Sequence, residues 1–229
     1  MKPYYFDEKS NVKIFNCDWR ELDDETLRAD SLVSDPPYGL KEAAGKNKSR
    51  NKAFGSKTSL GKNRVIQAKD YGVSDWDNEP PSDFDLIRLR DVTKYQIIFG
   101  GNYFILPPSK CWIVWDKVNS GDFADAELAW TNLDKAVRIF RWMWNGMLKE
   151  QPEFRTHPCQ KPVSLGKFCL KMLPNDVKSM VDPYMGSGAF ILAAKAMGIS
   201  AVGVEREERY CADAVVRLEQ EVFDFGGEE

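Results

Sequence analysis

The segment Ser34-Asp35-Pro36-Pro37-Tyr38-Gly39 follows directly on a short apolar run. Two successive prolines fix φ twice and remove two amide donors, leaving a stiff backbone whose carbonyls point outward. A carboxylate beside a proline carbonyl makes a pair of hydrogen-bond acceptors, which suits an amino group carrying two N–H bonds. Tyr38 adds an aromatic plane on which a nucleobase can stack. Taken alone, the same residues read equally as a Pro-Pro turn with a helix-capping Asp.

A second group, Val181-Asp182-Pro183-Tyr184-Met185-Gly186-Ser187-Gly188-Ala189-Phe190, reads as a strand, a glycine-rich turn and a helix start. Glycine lets a ligand approach the backbone, and a helix N-terminus offers unpaired N–H groups. Glu205 stands 17 residues past Gly188, after the next strand-like run, where an acid suits the paired hydroxyls of a ribose. A dinucleotide fingerprint fits poorly, because its third glycine would fall at Ile191. A glycine turn that binds nothing is the plain alternative.

Two further groups are His157-Pro158-Cys159-Gln160-Lys161-Pro162 and Ile97-Ile98-Phe99-Gly100-Gly101-Asn102-Tyr103-Phe104, the latter followed by Cys111–Lys117. A lone His is ordinarily structural, and buried strands explain the apolar residues as well as function does. Pro158-Cys159 resembles the nucleophile segment of the cytosine-C5 methyltransferases, but in that family the Cys lies downstream of the cofactor turn, whereas Cys159 lies upstream of the glycine turn. Chemistry at an amine also needs no thiolate.

Elements must bring these groups together. Strand-like runs fall at Val12–Phe15, Ser31–Ser34, Tyr95–Phe99, Cys111–Trp115, Lys178–Val181 and Ser200–Val204. Helical stretches fall at Val163–Leu173, Ala189–Met197 and Glu207–Val222. Strands alternating with helices predict an α/β fold, a mostly parallel twisted sheet with helices on both faces. Ligands on such sheets sit outside the carboxyl ends of the strands, so one edge should gather all four groups.

The 229 residues suffice for one domain with a full core, and 43% hydrophobic with 29% charged residues is an ordinary globular composition. No apolar run is long enough to span a bilayer and the N-terminus has no signal-peptide core, so the chain is expected in the cytoplasm, away from membranes. The five cysteines are scattered without a CxxC pair, and His157 is the single histidine, so neither a disulfide framework nor a metal site is expected. The net charge of −3 is unevenly spread. From Lys41 to Arg64 eight Lys/Arg face the one acid Glu42, leaving 24 basic and 34 acidic residues elsewhere. A flexible basic loop at about 41–64 on an acidic body is an electrostatic footprint for phosphates, with Lys46, Lys48, Arg50 and Lys52 at its centre. Its alternative is a solvated loop without a partner.

In this order the four groups resemble the β-class amino-methyltransferases, in particular the small phage-type adenine-N6 DNA methyltransferases, over nearly the whole chain from about Val12 to Glu219. The resemblance implies a Rossmann-like class I methyltransferase fold with circularly permuted motif order, since Asp35 precedes Asp182. It implies a single catalytic domain over 1–229, S-adenosylmethionine as cofactor, double-stranded DNA as partner, a setting in restriction–modification and a possible homodimer. Asp35, Pro36, Pro37 and Tyr38 would form the catalytic corner, with Asp35 also beside the cofactor. Asp18 would contact the cofactor adenine and Glu205 its ribose, while Asp182, Gly186 and Gly188 line the methionine part. His157 and Lys161 belong to the segment closing over that end. Cys159 and Ala189 stand where the family usually carries Thr, which bears on cofactor affinity. An insertion at about 117–156 would read the DNA sequence, with Arg138 and Arg141 as contacts; these with Trp142 and Trp144 read equally as core and surface residues of a helix pair. Cytosine-N4 DNA methylation, RNA adenine methylation and a non-catalytic cofactor-binding DNA module are the rival readings.

Overall fold

The computed structural model describes residues 1–39, 80–118, 124–143 and 160–220. The chain divides into two compact units, residues 1–36 with 81–229, and Pro37–Pro80, where the sequence reads as one domain. Of the second unit the described residues are its two ends. A Cβ on Gly39 would lie 3.0 Å from the Pro80 ring, so those ends lie close together.

Among the described residues of the first unit, nine strands form one sheet. They are β1 (Tyr5–Asp7), β2 (Val12–Asn16), β3 (Ala29–Ser34), β4 (Thr93–Phe99), β5 (Trp112–Asp116), β6 (Ala126–Thr131), β7 (Arg138–Arg141), β8 (Ser179–Asp182) and β9 (Ser200–Glu205). Their order is β1-β2-β9-β8-β3-β4-β6-β5-β7. The central run from β2 through β9, β8 and β3 to β4 is parallel throughout. β6 runs antiparallel to both β4 and β5, while β7 closes the edge parallel to β5.

The helices are α1 (Asp24–Leu27), α2 (Asp83–Asp91), α3 (Val163–Met172), α4 (Ala189–Ala196) and α5 (Glu208–Glu219). Neighbouring strand residues point to opposite faces, and two apolar clusters record it. Val33, Ile97, Phe99 and Met180 pack with Leu165 of α3, Phe190 of α4 and Cys211 of α5. Leu32, Ile98 and Val181 pack on the other side with Leu27 of α1, Leu89 of α2 and Trp19. Burial on both faces explains why these strands carry runs of adjacent apolar residues, as at Ile97–Phe99. Helices therefore cover both faces of the sheet, as expected. Ser82 begins α2 with a reciprocal cap, its hydroxyl accepting from the Asp85 N–H while the Asp85 carboxylate accepts from the Ser82 N–H.

Residues 126–131 and 138–141, within the span 117–156, are strands of the main sheet. The helix-pair reading of Arg138, Arg141 and Trp142 is therefore corrected. Arg138-Ile139-Phe140-Arg141 is an edge strand paired with Ile113–Asp116, where sheet pairing overrides an unpatterned tetrapeptide.

Candidate active site

Parallel strands deliver their following loops to one sheet edge, and β8 and β3 are neighbours there although 148 residues separate Ser34 from Asp182. β3 ends at Ser34 and hands over to Asp35 and Pro36; β8 ends at Asp182 and hands over to the glycine turn. The Ser34 hydroxyl donates 2.6 Å to Asp182 Oδ1, and the Tyr184 N–H donates to the same oxygen at 3.1 Å. Asp182 is 1% exposed. Burial pushes its carboxyl up to about 7, the charges of Asp35 and Glu205 add to the rise, and the two hydrogen bonds oppose it.

The turn after β8 is shaped by backbone that side chains resist. Gly186 has φ 52° and Gly188 φ 78°, both left-handed. A Cβ on Gly188 would stand 2.9 Å from the Ala214 Cβ, so the turn also lies tight against α5. Glu205, at the end of β9, accepts from the Gly186 N–H at 3.1 Å and the Glu207 N–H at 2.8 Å. Burial raises its pKa against those bonds. Asn16, ending β2, donates to the carbonyls of Glu205 and Arg206 and ties the β2 and β9 ends together.

Asp18 follows β2 and caps the 3-10 turn Trp19–Glu21, accepting from the Arg20 N–H at 3.0 Å. Its carboxylate also takes the Arg20 guanidinium, at 2.9 Å from Nε, and that partner lowers its pKa. Beyond it Trp19 meets Tyr184 edge to face at 6.2 Å.

On the other side of the glycine turn, Lys161 donates its ammonium to Asp35 Oδ2 and lies 3.1 Å from Glu127 Oε2. Glu127 is also paired with Lys117. Burial drives the Glu127 carboxyl upward, but the two ammonium groups outweigh it and hold it below the usual range. Lys161 further lies 5.7 Å from the centre of the Phe99 ring, which stacks on Phe190 in the first turn of α4.

Asp18, Asp35, Lys161, Asp182, Gly186, Gly188 and Glu205 thus belong to one unit and to the loops at one sheet edge. Pro37 and Tyr38 open the second unit. His157, Cys159, Lys46, Lys48, Arg50 and Lys52 lie outside the described residues. Arg138 and Arg141 are not a cluster: three positions apart on a strand, they face opposite sides. Arg141 bonds Asp116 at 3.3 Å at the carboxyl edge, whereas Arg138 pairs in register with Ile113. The sequence reading missed Ser34, Asn16, Lys117 and Glu127. Only Ser34 carried a signal, its place next to Asp35. No group of three or more metal-ligating side chains occurs among the described residues. Nor, among them, is any helix long and apolar enough to cross a membrane.

A parallel sheet with helices on both faces, a glycine turn at its centre and an antiparallel strand beyond β4 define the Rossmann-like methyltransferase fold. Solved structures agree on the fold. The crystal structure of M1.HpyAVI superposes with a TM-score of 0.50 at 21% identity, covering 91% of this chain and 98% of that one. The PvuII DNA methyltransferase, described as cytosine-N4-specific, gives 0.56 at 14% identity, covering 96% and 90%. The M1.HpyAVI–SAM complex gives 0.51 at 19%, covering 91% and 100%.

More particularly, residues 117–216 match the family described as DNA methylase. The type II methyltransferase M.HinfI of Haemophilus influenzae is 39% identical over 75 residues, 32% of this chain. M.ScaI of Streptomyces caespitosus is 34% identical over 77 residues, 34% of this chain. These matches span only 20% and 25% of the two relatives' own lengths.

Proposed function

We propose that this chain transfers the methyl group of S-adenosylmethionine to the exocyclic N6 amine of adenine in double-stranded DNA. The observation that carries the reading is the adjacency of β3 and β8, which sets the ion-paired Asp35 beside the glycine turn and buried Asp182. The relatives' names, type II methyltransferases, support DNA as substrate and a role in a restriction–modification system.

The residues present fit the cofactor. Glu205 keeps lone pairs for ribose hydroxyls beyond its two backbone bonds, as Asp18 does for the adenine amine beyond its Arg20 contact. Gly186 and Gly188 allow close backbone approach. Asp182, poised near neutrality, becomes the carboxylate that a cationic ligand favours. His157 and Lys161 belong to the segment that would cover the methionine end. When bound, S-adenosylmethionine supplies a methyl group already activated by a positively charged sulfur, so the protein has no metal to provide.

The chain's own residues do the rest. The target amine is paired inside a duplex, and extruding the base costs on the order of a few kcal/mol. Stacking on Tyr38 returns roughly 1–3 kcal/mol. Asp35 and the Pro36 carbonyl, stiffened by Pro37, accept the two N–H bonds and concentrate the nitrogen lone pair that ring delocalisation had spread. Transfer is then an in-line displacement governed by position and electrostatics. Lys46, Lys48, Arg50 and Lys52 hold the phosphate backbone, with Arg138 and Arg141 as further contacts.

The test is to incubate the chain with duplex DNA and tritium-labelled cofactor, then digest to nucleosides. Label in N6-methyladenine is expected. Label in N4-methylcytosine, or only in RNA, would reassign the substrate, and cofactor binding without transfer would leave a non-catalytic module.

A further inference from the structure

The ends of β3, β5 and β6 and the residues before α3 bring four charges into one row, Lys117, Glu127, Lys161 and Asp35. Signs alternate along it. Lys161 is nearly dry, with 9% of its side chain exposed, and Glu127 has 23%. The Lys161 ammonium donates a hydrogen bond to Asp35, while Glu127 Oε2, buried and 3.1 Å away, has no well-aligned donor. An ion pair is therefore made without its hydrogen bond. A buried carboxylate oxygen left in that state is costly and readily takes a donor.

The same Asp35 carboxylate is the acceptor that the target amine must use. An ammonium left on that carboxylate would compete with the amine, and pulling it into solvent would break a desolvated pair. We infer that Glu127 is a positioning residue, which takes over the hydrogen bond of Lys161 when the amine engages Asp35. The ammonium turns between two carboxylates already within reach, and no proton changes owner. Lys117 holds Glu127 in place through its other oxygen. This inference rests on the proposed amine chemistry at Asp35.

The experiment compares Glu127→Gln, Glu127→Asp, Lys161→Met and the Gln/Met double variant, each shown folded by its melting temperature. Glu127→Gln should lower kcat by about 10²-fold, the scale of a misplaced reacting group, with KM for the cofactor near wild type. Glu127→Asp should recover part of the loss. In the Lys161→Met background Glu127→Gln should cost nothing more, because it acts through that ammonium. Wild-type kcat in Glu127→Gln, or losses that simply multiply, would overturn the inference. A second readout needs no turnover: the Lys161 ammonium resonance, in 15N-lysine-labelled protein, should shift in Asp35→Asn and in Glu127→Gln. An unmoved resonance in Glu127→Gln would overturn it too. A wild-type chain that methylates no nucleic acid sinks the proposed function instead, and the resonance still decides whether Glu127 holds Lys161.

Discussion

The Ser34 hydroxyl donates a 2.6 Å hydrogen bond to Asp182 Oδ1, joining the ends of two neighbouring parallel strands. It is a buried bond, and it fixes the two halves of the candidate site against each other. The acceptor corner begins one residue after Ser34, and the glycine turn begins one residue after Asp182. Ser34→Ala would leave Asp182 Oδ1 with the Tyr184 N–H as its remaining donor, at a cost of about 0.5–1.5 kcal/mol, the net worth of one hydrogen bond. Urea denaturation should show the loss as a lower midpoint at an unchanged slope.

Asp182 also predicts a pH dependence. Its carboxyl is raised from 3.8 to about 7 in the folded chain, so between those values the folded state holds a proton that the unfolded state lacks. Stability from this group is complete below about pH 4 and declines as pH rises through 7. Asp7, Asp18 and Asp30 have lowered pKa values and the opposite sign, with their contribution lost only as pH falls below about 4. Unfolding midpoints at pH 5 and pH 8 should therefore differ less in Asp182→Asn than in the wild type. An identical difference would remove Asp182 as its source.

Two left-handed glycines separate strain from contact. Gly198, just past α4, has φ 69° and open space around its Cβ position, so Gly198→Ala carries the backbone cost alone, about 1–2 kcal/mol. Gly188→Ala adds the 2.9 Å approach to Ala214 and should lower the melting temperature further. It should also weaken S-adenosylmethionine binding in calorimetry, whereas Gly198→Ala should not.

Electrostatic attraction to DNA can be read from salt. Neutralising Lys46, Lys48, Arg50 and Lys52 should weaken binding and flatten the plot of log affinity against log salt, by up to about 0.9 for each phosphate that is no longer neutralised. An unchanged slope would assign the phosphate-binding role elsewhere, with Arg141 the next to vary.

Much of this arrangement was legible in sequence because burial on both faces forces continuous apolar runs. β3, β4, β8 and β9 could be read for that reason, and their alternation with helices fixed the parallel sheet. β7 carried no such mark: its four residues lie at an edge and are mostly exposed, so no pattern distinguishes them from a loop. β6 reads Ala-Glu-Leu-Ala-Trp-Thr, which has neither strand alternation nor a β-branched run. Nothing local marks its Glu127, since the two lysines that surround it come from other strands and loops. Lys161 is marked by the family resemblance, but its bond to Asp35, which spans 126 residues of sequence, is not. Local pattern located the acceptor corner and the glycine turn; only the sheet order revealed the charges that hold them.

The most direct measurement is methyl transfer by Asp35→Ala, followed with tritium-labelled cofactor on duplex DNA while calorimetry tracks cofactor binding in parallel. Removing the carboxylate should abolish transfer to adenine and leave cofactor affinity largely intact, because Asp182, Glu205 and the glycine turn remain. Undiminished turnover in Asp35→Ala would contradict the account, since the amine would then be gripped by some other group.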